Sequence, residues 1–128
     1  MRLLLDTQIF LWFIMGNDRL KNSWRILIEN PSNRSFLSIA SLWEIAIKNG
    51  LGKLSLQTSF RELVENQVES RGFSILPINA AHLIELEKLP HHHRDPFDRL
   101  IIAQSISEGL SLISSDPEFD PYPIIKMK

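Results

Sequence analysis

The sequence predicts an α/β domain on a central, mainly parallel sheet, and three observations carry that prediction. Short apolar runs alternate with longer stretches of helical periodicity, the pattern of repeated strand–helix–strand units. The first run, "RLLL" at residues 2–5, is apolar at consecutive positions, as a strand covered on both faces must be. No repeat, low-complexity segment or linker interrupts the alternation, so one domain is expected over residues 1–128.

The elements follow in order. After "RLLL", the segment "DTQIFLWFIMG" offers Asp6 or Thr7 as an N-cap and Gly16 as a stop. "DRLKNSWRILIEN" places Leu20, Trp24, Leu27 and Ile28 at helical spacing, and "PSNR" turns the chain. "SFLSI" is a second strand. In the helix that follows, "ASLWEIAIKNG", an apolar face is expected from Leu42, Trp43, Ala46 and Ile47, with Asn49 and Gly50 ending it. "LGKLSLQ" is a loop and "TSFRELVENQVESRG" a third amphipathic helix, before a strand in "FSILPI". Asn79 caps "AAHLIELEKL", and Pro90 prevents its continuation. In "RDPFDRLIIAQ", Asp95 is placed as N-cap, Pro96 at the first helical position, where its missing N–H is harmless, and Asp98 in the first turn. "GLSLISSD" and "YPIIKM" supply the last two strands.

Bulk composition narrows the function. Hydrophobic residues make up 44% of the 128, enough for one core, and the formal net charge of −1 excludes a protein that coats nucleic acid through its overall charge. Any contact with nucleic acid must use a local patch. Absence of cysteine excludes disulfides, thiolate zinc sites and cysteine nucleophiles. The N-terminal apolar stretch is broken by Asp6 and falls short of the ~20 residues a membrane span needs, so a soluble cytoplasmic protein with no membrane partner is expected.

The acidic residues carry the chemistry. Two strands run into aspartates, Asp6 directly and Asp116 after two serines, and ligands of parallel sheets bind outside the carboxyl ends of strands. Each has a structural alternative, as an N-cap or a turn residue. Glu44 lies in the first turns of the helix after the second strand, at the edge of its expected buried face. Its structural alternative is an ion pair with Lys48, worth roughly 0.2–0.5 kcal/mol. Asp98 shares a face with Ile101 and Ile102, where a carboxylate needs a partner. Together Asp6, Glu44, Asp98 and Asp116 place four carboxylates at one rim of the sheet, a repulsive cluster unless cations occupy it. Oxygen ligands imply a hard ion, Mg²⁺ or Mn²⁺, and such ions activate water for phosphodiester hydrolysis.

"LLLDT", "SLWEI", "DRLIIAQ" and "LISSDPEF" resemble, in order and over essentially the whole chain, the four acidic segments of the PIN-domain family, in particular the VapC-type toxins of toxin–antitoxin pairs. The resemblance implies a three-layer α/β/α fold, a Mg²⁺- or Mn²⁺-dependent endoribonuclease, a homodimer and inhibition by a cognate antitoxin. It implies catalytic residues at Asp6, Glu44, Asp98 and Asp116, with Asp6, Asp98 and Asp116 on metal. Asp95 is then a helix cap or an outer ligand of the metal.

Adjacent histidines in "HHHR" point in different directions and lack the spacing of a helical metal site, so they are expected in a solvated loop rather than as ligands. His93 and Arg94, with Arg99, form a candidate RNA-contacting patch, and Lys48 and Lys53 are further candidates. Trp12, Trp24 and Trp43 are expected in the core or a dimer interface. Rival readings fit less well. A haloacid-dehalogenase-like phosphatase needs a second aspartate where Gln8 stands, and a receiver domain needs an acceptor aspartate that the second and third strand ends lack. An inactive PIN-like module that only binds RNA or a partner protein remains as the non-enzymatic alternative.

Overall fold

The computed structural model describes residues 1–127. Strands β1 (Arg2–Leu5), β2 (Arg34–Ser38), β3 (Ser74–Leu76), β4 (Ser111–Ile113) and β5 (Ile125–Lys126) form one sheet in the order β3-β2-β1-β4-β5. Every pairing is parallel, with Leu4 opposite Phe36 on one side and Leu112 on the other. The continuous leucine run is explained by its central place. Leu3 and Leu5 face one core cluster with Leu37 and Ile113, while Leu4 faces a second with Phe36 and Leu112, the period-two alternation of a strand covered on both sides.

Among the described residues six helices complete the layers: α1 (Thr7–Met15), α2 (Asn22–Glu29), α3 (Ile39–Gly50), α4 (Phe60–Glu62, continuing as a π-helical segment Leu63–Glu69), α5 (Ala80–Lys88) and α6 (Pro96–Glu108). The first core cluster takes Ile9 and Phe10 from α1, Trp24 from α2 and Leu63 and Val68 from the π segment. The second takes Leu100 to Ala103 from α6, on which α5 packs. Gly16 and Gly109 close α1 and α6 at φ 63° and 66°, a left-handed conformation in which a side chain would be strained. No helix among the described residues is long and apolar enough to cross a membrane.

Two expectations need correction. The residues before Asn22 are not helical, although Leu20 is buried as its spacing suggested. In α3 the buried arc is Ala40, Ser41, Leu42, Glu44 and Ile45, whereas Trp43 is 53% exposed and Ile47 is exposed too. The helix is gripped from both sides, by α1 and by α6, giving Ala40 to one cluster and Leu42 and Ile45 to the other. That double contact selects an arc about one residue away from the most apolar stripe.

The chain order in the sheet reverses between β1 and β4, because the crossover after β3 passes back over β2 and β1 before β4 forms. Such a switch point opens a crevice at the carboxyl ends of the flanking strands. The start of α6 is fixed beside it: the Asp95 carboxylate accepts from the backbone N–H of Phe97 (2.9 Å) and Asp98 (3.2 Å), with Pro96 next in line. An Asp95→Asn variant keeps an acceptor oxygen and loses only the charge at the helix end, so its stability in urea denaturation should fall by about 1 kcal/mol or less.

Candidate metal centre

Asp6 continues the β1–β4 ladder by one residue, its N–H donating to the Ile113 carbonyl at 3.1 Å. This locks its side chain at the crevice. One carboxylate oxygen caps α1 by accepting from the Ile9 N–H at 2.8 Å, and the other accepts from the Ser114 hydroxyl. Only 5% of Asp6 is exposed. The same residue is therefore both helix cap and rim carboxylate.

Glu44 is 6% exposed, deeper than the edge position its sequence pattern implied. The Thr7 hydroxyl donates to Oε1 at 2.8 Å, and Lys48 Nζ lies 2.6 Å from Oε2. Both readings of Glu44 hold at once: it pairs with Lys48 and it lines the crevice. Asp116 caps a 3-10 turn (Pro117–Phe119), accepting from the Glu118 N–H at 2.9 Å. Its own N–H donates to Ser114 Oγ at 3.1 Å, so Ser114 ties Asp6 and Asp116 together. Asp98 stands in the first turn of α6. Asp6, Glu44, Asp98 and Asp116 line one cleft of about 500 Å³, with Asp95, Lys48 and Lys53 also on its walls.

His93 overturns the expectation of a solvated loop. It is 7% exposed, while His91 and His92 are exposed. Its Nε2 lies 3.0 Å from Asp98 Oδ2 and 3.3 Å from Asp116 Oδ2, so its ring edge faces the carboxylates. Arg99 donates to the Pro90 carbonyl at 2.9 Å and reaches the Leu89 carbonyl and Tyr122 Oη, while lining one surface pocket with His93 and Arg94. Only Arg94 of the three stays exposed.

The organiser of this loop is Tyr122, which sequence reasoning missed. Its hydroxyl accepts from the His93 N–H at 2.7 Å and donates to the Pro90 carbonyl at 2.9 Å. Nothing local could signal this, since the partners are about thirty positions apart. His93 carried one local signal. It stands two residues before the helix cap, where its Nδ1 accepts from the Asp95 N–H at 3.2 Å.

Electrostatically the cleft has surplus negative charge. Burial raises the Asp6 carboxyl to about 6, opposed by its hydrogen bonds from Ser114 and Ile9 and reinforced by the charges of Asp116 and Glu44. Burial, then the charge of Asp95, raises Asp98 to about 7, while His93 pulls it back and Glu44 and Asp6 add to the rise. The hydrogen bond to Glu44 raises Lys48, and the charges of Glu44, Asp95 and Asp98 add to it. Asp6 and Asp98, whose charged forms are disfavoured first by burial and then by neighbouring carboxylates, offer oxygen donors that fit a hard divalent cation, which would offset that penalty.

Fold and site thus define an α/β protein whose acidic crevice lies at the switch point of a parallel sheet. The chain belongs to the PIN-domain family, whose model matches residues 3–124. Three solved structures share its fold. VapBC2 from Rickettsia felis bound to a DNA fragment from their promoter is 20% identical, with TM-score 0.73 over 99% of this chain and 98% of that one. FitAcB from Neisseria gonorrhoeae is 17% identical, with TM-score 0.70 over 98% and 96%. VapBC-1 from nontypeable Haemophilus influenzae is 17% identical, with TM-score 0.65 over 94% and 91%. No curated protein sequence matches the chain.

A pH dependence follows for the metal-free protein. The folded Asp6 carboxyl holds its proton up to about 6 against an ordinary 3.8, so between those values the folded state binds more protons than the unfolded chain. Stability therefore falls as pH rises through this window, by about 3 kcal/mol from Asp6, and the raised Asp98 extends the fall toward neutrality. In EDTA the pH dependence of the urea midpoint between pH 4 and 7 should flatten in Asp6→Asn relative to wild type. Saturating Mn²⁺ should raise the wild-type midpoint at pH 7.5.

Proposed function

We propose that the chain is a Mg²⁺- or Mn²⁺-dependent endoribonuclease, the toxin of a toxin–antitoxin pair acting in the cytoplasm. The observation that carries this reading is the convergence of Asp6, Glu44, Asp98 and Asp116, from four separate segments, on one cleft of a PIN-domain protein. Asp6, Asp98 and Asp116 would hold the ion, and Glu44 would complete the site or order its water. When bound, the ion supplies a water acidified enough to attack the phosphodiester and a positive charge for the leaving oxygen. The chain's own residues do the positioning. Ile9 and Ser114 fix both oxygens of Asp6, and Thr7 fixes Glu44. Asp95, already accepting two helix N–H groups through one oxygen, is the cap, and its place on the cleft wall supports an outer role toward the ion as well.

Among the candidate cations, RNA contact falls to Lys48, Lys53 and Arg94. Lys48 and Lys53 lie on the cleft wall, and the exposed Arg94 lies in the loop before α6. Their charges compensate RNA phosphates beside the acidic rim without making the whole surface basic. The fold relatives include VapBC2 bound with promoter DNA, which supports a cognate antitoxin as the protein partner.

A homodimer fits the outward side of α3. Ile39, Trp43, Ile47 and Leu51 are exposed at four-residue spacing, and Trp43 meets Phe97 of α6 edge-on at 5.0 Å. A second copy of the chain is the occupant that an apolar helical stripe of this kind suits.

Two expectations test these proposals. Asp6→Asn and Asp98→Asn should each abolish cleavage of RNA in Mg²⁺ or Mn²⁺ while circular dichroism stays unchanged. A variant cleaving at the wild-type rate removes its residue from the metal site, and a wild-type protein inert toward RNA in Mn²⁺ supports the non-catalytic PIN module instead. Trp43→Asp should convert the dimer to a monomer by light scattering, with the thermal transition retained, because the side chain is already half in solvent.

A further inference from the structure

We infer that His93 joins the metal centre as a ligand through Nε2, and that Glu118 is the outer carboxylate that sets its tautomer. The inference rests on the cation-dependent reading of the cleft. It is independent of which carboxylate binds most tightly.

The ring is held in place from several directions. Its backbone N–H is bonded to Tyr122, its carbonyl lies 3.5 Å from Arg99 Nη1, and its ring packs on Phe119 with centroids 5.7 Å apart. Burial and these ties leave Nε2 aimed at two carboxylate oxygens, at 3.0 and 3.3 Å. One ligand atom each from His93, Asp98 and Asp116 lies within 4.8 Å of the others. An octahedral ion with bonds near 2.1 Å separates adjacent ligand atoms by about 3.0 Å and opposite ones by about 4.2 Å. The 3.0 and 3.3 Å separations of Nε2 from the two carboxylate oxygens match adjacent positions around one small divalent ion.

The two ring nitrogens have separate sets of partners, which allow two tautomers. With no ion, Nδ1 accepts from the Asp95 N–H, and a proton on Nε2 is shared between Asp98 and Asp116. With an ion, Nε2 must present its lone pair; its proton leaves and one is taken up at Nδ1, which gives up the hydrogen bond from the Asp95 N–H and donates instead to Glu118 Oε2, 3.2 Å away. No net proton is gained or lost within the ring. A ligating histidine that hands its other N–H to a carboxylate is a recurrent arrangement, since it fixes the ring and raises its basicity. Glu118 is placed for this by its own N–H, which is bonded to Asp116, so both carboxylates reach the same imidazole from opposite edges. A nitrogen ligand also changes selectivity, favouring Mn²⁺ over Mg²⁺ relative to an all-oxygen site.

The test uses the full chain with metal alone. Titration calorimetry with MnCl₂ should show affinity reduced about 10- to 100-fold in His93→Ala and His93→Gln, and about 10-fold in Glu118→Gln. His91→Ala, in the same run but exposed, should match wild type. The preference for Mn²⁺ over Mg²⁺ should shrink in both His93 variants. In wild-type protein, ¹⁵N resonances of the imidazole should exchange their protonated and unprotonated character between Nε2 and Nδ1 on adding Mg²⁺. Wild-type protein that binds no Mn²⁺ overturns the cation-dependent reading itself. Wild-type binding that His93→Gln retains in full, with an unchanged tautomer, overturns the His93 ligand and leaves the carboxylate site standing.

Discussion

The structure depends on the burial of β1 between β2 and β4. Leu3, Leu4 and Leu5 have no solvent exposure, and each belongs to a core cluster on one or the other face of the sheet. Because the strand is fixed on both edges and both faces, the residue that leaves it has little freedom. Asp6 emerges at the switch point with its N–H still in the ladder and its carboxylate already capping α1. The hydrophobic core therefore does more than stabilise the fold. It sets where the first charge of the crevice stands, to within the tolerance of a packed strand.

The remaining elements bring further charge to that point and then restrain it. Ser114 bonds both Asp6 and Asp116, Thr7 holds Glu44, Lys48 neutralises one edge, and His93 sits between Asp98 and Asp116. Each contact reduces a repulsion that the fold itself creates by gathering carboxylates out of water. The elevated carboxyls of Asp6 and Asp98 are the residue of that conflict. A cation bound among these carboxylates would offset that cost, and its binding would then be coupled to stability. The C-terminal segment shares in the restraint, because Phe119 and Tyr122 hold the loop from Pro90 to Asp95 against the site.

Much of this was legible in local patterns, and the failures were of one kind. Strand positions, the Asp6, Asn79 and Asp95 caps and the Gly16 stop depend on neighbours a few residues away, and they form as the sequence indicates, whereas α3 runs through Asn49 and Gly50 to a cap at Leu51. Glu44 and Trp43 exchanged their expected depth because α1 and α6 both press on α3. His93 and Arg99 looked like surface cations because their partners, Tyr122 and the carbonyls of Leu89 and Pro90, lie beyond the reach of any local pattern.

The sequence by itself determined the order of strands and helices, their caps, and which acidic residues follow strand ends. Those features arise from backbone hydrogen bonding and from apolar periodicity, both set within a turn or two of chain. Only the tertiary structure decided which face of α3 is buried, how deeply each of the four carboxylates lies in the cleft, and that a histidine rather than solvent stands between two of them. These are outcomes of packing between segments distant in sequence, where the shape of the partner chooses the orientation of each side chain.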